Sequence, residues 1–267
     1  MRIAVIGDVH QVWGPRDNAF FGASDYAAVL FVGDLPGYAH QGLLATAARI
    51  AGVGKPAVMM LGNHDGPSLL QVWLEGVRLA GAGWEKGLDA SVEALRLALG
   101  PVTLGGYSHH RFGDVSVVLG RPHAMDGRTF PFHERIARRY GVSSMAQSAA
   151  RLCALVDEAT PGPLILMGHN GPKGLGSVPT APFALGPVDL GDPDLAEAAL
   201  YARKTRSGPI VVVAGHVHRH PMRAAIVTQD GLTYVNAAVV PRVRRGRAHH
   251  VSLSLREDQW FAEDVWV

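Results

Sequence analysis

The chain is a series of short apolar runs separated by polar turns. Residues 2–7, 28–32, 57–61, 164–167 and 210–213 are Ile-, Val-, Leu-, Met- and Ala-rich and of strand length. Runs of this kind, apolar on both faces, read as buried strands. Gly14-Pro15-Arg16-Asp17 leads from the first run into a short helix. Residues 38–52, rich in Ala and Leu and closed by Gly52 and Gly54, predict a second helix. Strand alternating with helix predicts parallel pairing.

The middle is less regular. Residues 67–80 read as helical, and Asp89 as the cap of a helix carrying Val92, Leu95 and Leu99 that stops at Gly100-Pro101. Val115–Leu119 is a further strand. Met145, Ala149, Leu152 and Val156 recur at helical spacing up to Thr160-Pro161-Gly162-Pro163. The Gly- and Pro-rich residues 171–192 read as a long loop near the strand ends. Asp192-Pro193 then looks like an N-cap with proline in the first helical position, opening a helix to about Arg203. The last part changes style. Ala224–Thr228 and Leu232–Val235 flank Gln229-Asp230-Gly231, a hairpin signal. Val251, Leu253 and Leu255 alternate with Ser252 and Ser254, predicting a half-buried strand, and a turn at Glu257-Asp258 leads to a last strand ending near Val267. The order is α/β, parallel strands first and antiparallel hairpins at the C-terminus, with no internal repeat or linker, so residues 1–267 read as one domain.

Composition narrows the class. At 48% hydrophobic and 18% charged, the chain can bury a large core and is not a disordered one. A net charge of +2 does not mark a nucleic-acid coat protein. Cys153 is the only cysteine, so no intrachain disulfide forms; its helical setting predicts a buried small hydrophobe. Met1–Gly7 is too short for a signal peptide, and no apolar run reaches membrane length. A cytoplasmic protein with no membrane partner is expected.

The candidate chemistry lies where the apolar runs stop. Five of them end in Asp8-Val9-His10, Gly33-Asp34, Gly62-Asn63-His64-Asp65, Gly168-His169 and Gly215-His216-Val217-His218. Any one is ordinary: a lone Gly-Asp is a turn, and a lone His is usually a hydrogen-bonded loop residue. Five at the carboxyl ends of strands in one chain can converge, because open α/β sheets place their chemistry there. The types suit a metal. Asp8 and Asp34 offer anionic oxygen, Asn63 a neutral oxygen and the histidines imidazole nitrogen, a set that fits Mn, Fe or Zn and lacks structural-zinc thiolates. Alternate residues of an extended segment share a face, so Asp8 with His10, and His216 with His218, can each address one site. Seven candidate ligands are too many for one ion and suit two that share a carboxylate. Two divalent ions, less two carboxylates and a bridging hydroxide, leave about +1 to attract an anion.

In these five blocks, from Asp8 to His218, the chain resembles the calcineurin-like metallophosphoesterases, with the blocks in the family's order. The resemblance implies a two-sheet sandwich flanked by helices. It implies that Asp8, His10, Asp34 and His218 hold one metal and that Asp34, Asn63, His169 and His216 hold the other. It also implies phosphoester hydrolysis by in-line attack of a metal-bridging hydroxide, with His64 protonating the leaving oxygen and Asp65 orienting it. Many members have an acid shortly after the Gly-Asp block. Here Leu35-Pro36-Gly37 follows, which is expected to alter a local turn and leave the ligands intact. Gly120-Arg121-Pro122-His123-Ala124-Met125 and His169-Asn170-Gly171-Pro172 are similar to a bacterial and plastid subgroup. Arg121, at a strand end like the five blocks, is a candidate phosphate contact, since a guanidinium matches two phosphate oxygens.

Two other readings compete. One is a non-catalytic metal-bound scaffold of the same fold, against which stands the complete set of ligands and His64. The other is a nuclease or nucleic-acid-binding phosphodiesterase, resting on Arg242-Val243-Arg244-Arg245-Gly246-Arg247 with Arg135, Arg138 and Arg139. Those arginines read more simply as a solvated loop and a solvated helix face, with no interleaved aromatics to stack bases. His109, His110, His249 and His250 read as surface, and His220 as a neighbour of the site. A small phosphorylated substrate is expected, with monoester, diester and pyrophosphate all open.

Overall fold

A computed structural model describes residues 1–77, 79, 83–174, 189–219, 226–229 and 232–267. The elements are β1 (Arg2–Ile6), α1 (Pro15–Ala23), β2 (Ala28–Phe31), α2 (Leu43–Ile50), β3 (Ala57–Met60), α3 (Leu69–Gly76), α4 (Leu88–Ala98), β4 (Thr103–Gly105), β5 (Ser108–Phe112) and β6 (Val115–Leu119). After them come α5 (His133–Tyr140), α6 (Met145–Glu158), β7 (Leu164–Met167), α7 (Pro193–Thr205), β8 (Ile210–Ala214), β9 (Ile226–Gln229), β10 (Leu232–Asn236), β11 (Val243–Arg244), β12 (Arg247–Arg256) and β13 (Gln259–Trp266).

Two mixed sheets are stacked between helices. The first runs β11-β12-β1-β2-β3-β4, with β13 also on β12; the second runs β5-β6-β7-β8-β10-β9. In the first, β1 to β4 are parallel and β12 returns antiparallel to β1. In the second, β6, β7, β8 and β10 are parallel, with antiparallel β5 and β9 at the edges. Strand apolarity explains the stacking. Along β1, Ala4 and Ile6 pack outward with Trp13, Phe21 and Leu95, whereas Ile3 and Val5 pack inward with Ile165, Val211 and Val235 of the other sheet. A strand buried on both faces must carry apolar side chains at every position, which is why these segments are continuous runs. A third cluster joins Leu166 and Val212 to α6 and α7 through Leu152, Leu155 and Ala198.

Several expectations change. The helix expected over 38–52 starts only at Leu43, leaving Tyr38 and His40 on a loop. Asp89 is not a cap: Gly87 holds that position and Asp89 sits in the first turn, paired with Arg135 and Arg138 of α5. Helix α5 itself was not anticipated, because Ile136 is its one buried apolar residue and ion pairs do the rest. Ser252 and Ser254 are buried, not solvated, on a strand paired along both edges by β1 and β13. His249 and His250 on the same strand are buried as well, bonded to Asp264 and to the Tyr26 hydroxyl. Arg242 is buried too, paired with Asp17 at 2.7 Å and over the Trp13 ring, and Arg135 is buried against Asp89; Arg138, Arg139, Arg244, Arg245 and Arg247 are exposed as expected. Cys153 is half-buried. His220, the turn Asp230-Gly231, the first two residues of the expected strand 224–228 and most of the expected loop 171–192 lie outside the described residues. Among the described residues no helix is long and apolar enough to cross a membrane.

The sheets close on each other at Gly7, the residue after β1. A methyl group there would overlap the Ala237 carbonyl, just past β10. Gly7→Ala therefore has to part the sheets beside the strand ends. We expect a loss of about 1–3 kcal/mol in stability, read as a lower urea midpoint at unchanged m-value.

Candidate active site

All five motif blocks follow strands whose carboxyl ends meet. β1, β2 and β3 are neighbours in one sheet, β7 and β8 in the other, and the apolar layer between the sheets brings both sets of ends together. The loops are knitted by backbone bonds. The N–H groups of Val9 and His10 donate to the Asp34 carbonyl at 3.0 and 2.9 Å. The buried Asp65 carboxylate accepts from the N–H groups of Asp34, Leu35 and Gly62 at 2.7, 2.8 and 2.8 Å. Asp34 Oδ1 in turn accepts from the His64 N–H at 2.9 Å. Gly62 is required at its place: a Cβ there would lie 2.7 Å from both Asp34 N and His169 Cε1. His10, Asp34 and His216 take left-handed backbone angles, with φ of 43, 53 and 62°. Such angles in non-glycine residues carry strain and gather at functional sites.

The side chains form two groups. Asp8, His10 and His218 make one, Asp34, His169 and His216 the other; within each, one donor atom per residue lies within 4.8 Å of the rest. His218 Nε2 is 2.8 Å from Asp8 Oδ2 and 3.2 Å from His10 Nε2. His169 Nε2 is 3.5 Å from Asp34 Oδ1 and 2.9 Å from Asn63 Oδ1, so the amide oxygen joins the second group. Two rings are fixed from behind. Nδ1 of His10 donates to the Pro36 carbonyl at 3.0 Å and Nδ1 of His169 to that of Val32 at 2.8 Å. A carbonyl only accepts, so the proton sits on Nδ1 and Nε2 is turned inward, the arrangement that orients an imidazole for a metal.

The electrostatics test whether a cation fits. Asp8 and Asp34 are each 2% exposed. Burial pushes the Asp8 carboxyl up, but the His218 hydrogen bond and charge bring it down to about 2. Burial likewise opposes ionisation of Asp34, and the charges of His169 and His64 hold it well below the usual carboxylate range. In return burial disfavours a charged His169, yet the Asp34 carboxylate raises it to about 10, while burial and His169 push His216 down to about 4. Two buried carboxylates thus demand positive charge, and imidazoles supply it by holding protons at the positions a divalent ion would take. The oxygen and nitrogen donor set fits Mn, Fe or Zn.

His64 stands beside the groups. Its Nε2 is 4.0 Å from Asp34 Oδ2, and its pKa is lowered, by burial first, with Asp34 opposing and His40 and His10 adding to the fall. It lines a cavity of about 770 Å³ with His40, Ser68, Lys86 and Ser91. Asp65 does not orient this ring, as had been expected: its carboxylate is spent on three backbone N–H groups, and it braces the loops instead. Three contributors were missed. Tyr38 stacks on His10 with ring centroids 4.3 Å apart, and His40 packs on His64 at 4.4 Å. His123, fully buried, donates from Nδ1 to the Gly62 carbonyl and from its backbone to that of Leu61. Their signals were present, in the departure after Gly33-Asp34 and in the stretch Gly120–Met125.

Arg121 is not at the site's surface. Its guanidinium is buried, with Nη2 2.8 Å from Asp192 and Nε 3.1 Å from Asp194, both also buried. The expected phosphate contact gives way to an ion triad, because Asp192, read as an N-cap, turns its carboxylate from the α7 terminus to Arg121 and Asn170. The triad ties the end of β6 to the start of α7 beneath the His169 loop. Arg121→Met strands two buried carboxylates. Its expected cost is about 3–5 kcal/mol in a denaturant titration, with metal content per folded chain unchanged.

The fold recurs in solved structures. A dimetal phosphatase from Danio rerio is 13% identical and superposes with a TM-score of 0.56 over 100% of this chain and 98% of its own. A second structure, 12% identical, gives 0.60 over 98% of each chain. At these identities the likeness concerns the fold. No curated protein matches the sequence. The model of the calcineurin-like phosphoesterases matches residues 1–220, and the chain belongs to that family.

Proposed function

We propose that this protein is a metal-dependent phosphoesterase that hydrolyses a small phosphorylated substrate, with His64 as the proton donor. The observation that carries the reading is the meeting of two carboxylate–imidazole groups with the His64 ring at one set of strand ends. Asp8, His10 and His218 would hold one divalent ion and Asn63, His169 and His216 the other, with Asp34 serving both. Bound there, Mn, Fe or Zn supplies Lewis acidity, which acidifies water and neutralises charge at phosphorus. The chain's own residues do the rest. His10 and His169 keep their lone pairs inward because Pro36 and Val32 carbonyls hold their other nitrogens. Asp65 fixes the Asp34 backbone, and the His64 N–H holds the shared carboxylate itself. His64 Nε2, beside Asp34, can give a proton to the departing oxygen, and the cavity it lines has room for the leaving group. Burial of Arg135 and Arg242 removes two cations from the nucleic-acid reading.

Hydrolysis of p-nitrophenyl phosphate and its diester after reconstitution with Mn or Zn tests this function against the scaffold reading. Activity is expected with about two ions per chain by elemental analysis and is expected to vanish with a strong chelator. Activity indifferent to chelation sinks the proposal. Asp34→Asn should lower occupancy of both sites, and Asn63→Ala that of one. His64→Ala should keep its metal and lose roughly 10²–10⁴ in turnover on alkyl phosphates, less on nitrophenyl esters, whose leaving groups need little protonation. Equal losses on both would remove His64 from that role.

A further inference from the structure

With Asp65 engaged elsewhere, nothing among the described residues hydrogen-bonds the His64 ring into place. Its backbone is anchored, through N–H to Asp34 Oδ1, but Nδ1 is buried with no hydrogen-bond partner among the described residues and Nε2 stands 4.0 Å from Asp34 Oδ2. An imidazole with neither nitrogen bonded can turn about its last torsion, whose well is broad and roughly two-fold. A donor turned the wrong way presents carbon, not nitrogen, to the leaving oxygen.

The ring that packs against it is itself fixed. His40 donates from Nδ1 to the Pro67 carbonyl at 2.8 Å. Its backbone, in the left-handed region at φ 59°, closes a turn by donating to the Gly37 carbonyl at 2.7 Å, and Gly37 N–H donates to that of Gln41 at 3.0 Å. His40 and His64 lie with centroids 4.4 Å apart and planes inclined by 44°. The other neighbouring ring, His10, is at 6.1 Å and edge-on.

We propose that His40 is the positioning residue for His64: its ring holds the plane of the His64 imidazole by packing and not by a hydrogen bond, while the Asp34 carboxylate favours the turn that brings Nε2, not carbon, toward it and the departing oxygen. The proposal rests on His64 as the proton donor. It makes the loop between β2 and α2 part of the catalytic apparatus although His40 touches no reacting atom. Because orientation of a catalytic group sets turnover more than substrate affinity, the effect belongs in kcat.

The test compares His40→Ala with His40→Phe, which keeps a ring face and gives up the bond to Pro67. His40→Ala is expected to lower kcat about tenfold on an alkyl phosphate, with KM and metal content unchanged, and to cost less on p-nitrophenyl phosphate. His40→Phe should recover most of the loss. In a His64→Ala background His40→Ala should cost nothing further, since the group it positions is gone. Equal losses on the two substrates, the same loss in the His64→Ala background, or a change within about twofold overturns the proposal. If His40→Ala does not fold, His40→Asn, which tolerates the left-handed backbone, takes its place. Imidazole ¹⁵N spectra of the zinc-loaded protein read the ring directly. His64 signals should move or broaden in His40→Ala and stay in place in His40→Phe; unchanged His64 signals in both overturn the packing claim. A parent that hydrolyses no phosphoester with any metal defeats the proposed function instead, and the spectra still decide whether His40 holds the ring.

Discussion

Two carboxylates, Asp8 and Asp34, are buried where two stacked sheets end, and the rest of the site answers to that fact. Removing an ionised carboxylate from water costs several kcal/mol unless positive charge and hydrogen bonds compensate. His218 and His169 provide the charge in the protein as described, at 2.8 and 3.5 Å. A donor set that must borrow protons to stay balanced is one that a divalent ion completes by releasing them. The fold makes the arrangement affordable, since the apolar layer between the sheets forces the loops of β1, β2 and β3 against those of β7 and β8.

Asp65 shows how much of such a site is scaffold. It reads as a partner for its neighbour His64, and in the fold it instead gathers N–H groups from two loops. The bonds are charge-assisted and buried, so they are strong, and they set the spacing between Asp34 and Asn63. His123 does the same from the second sheet, through the carbonyls of Leu61 and Gly62. Burial and the Arg135 charge push His123 down to about 3, so it stays neutral and supplies one N–H without adding to the field at the site.

The strands and the positions of the candidate ligands were legible because each rests on local pattern: an apolar run fixes the strand, and its end fixes where a polar side chain goes. Asp8, His10, Asp34, Asn63, His169, His216 and His218 all stand at such ends. What could not be read locally was partner choice. Arg121 stands at a strand end like the others, but Asp192 and Asp194, some seventy residues on, decide that it faces inward. Arg242 is drawn into the interior by Asp17 and Trp13 from the opposite end of the chain. Helix α5 has one apolar anchor, so no periodic stripe announces it. His40 was hidden by composition: the Ala- and Leu-rich run that predicts α2 was extended backward across it, although Gly42 marks the true start.

That last error bears on how the site works. Had residues 38–42 been helical, Tyr38 and His40 would lie on a regular surface with side chains about 200° apart, on nearly opposite faces. As a tight loop held by Gly37, Gln41 and Pro67, the segment instead delivers one ring to His10 and another to His64. A candidate metal ligand and the candidate acid, at the ends of different strands, thus share one rigid support. Packing by these rings adds no negative charge beside groups that already strain to balance two carboxylates. A carboxylate in His40's place would give His64 a stronger partner and would also draw on the positive charge that Asp8 and Asp34 require.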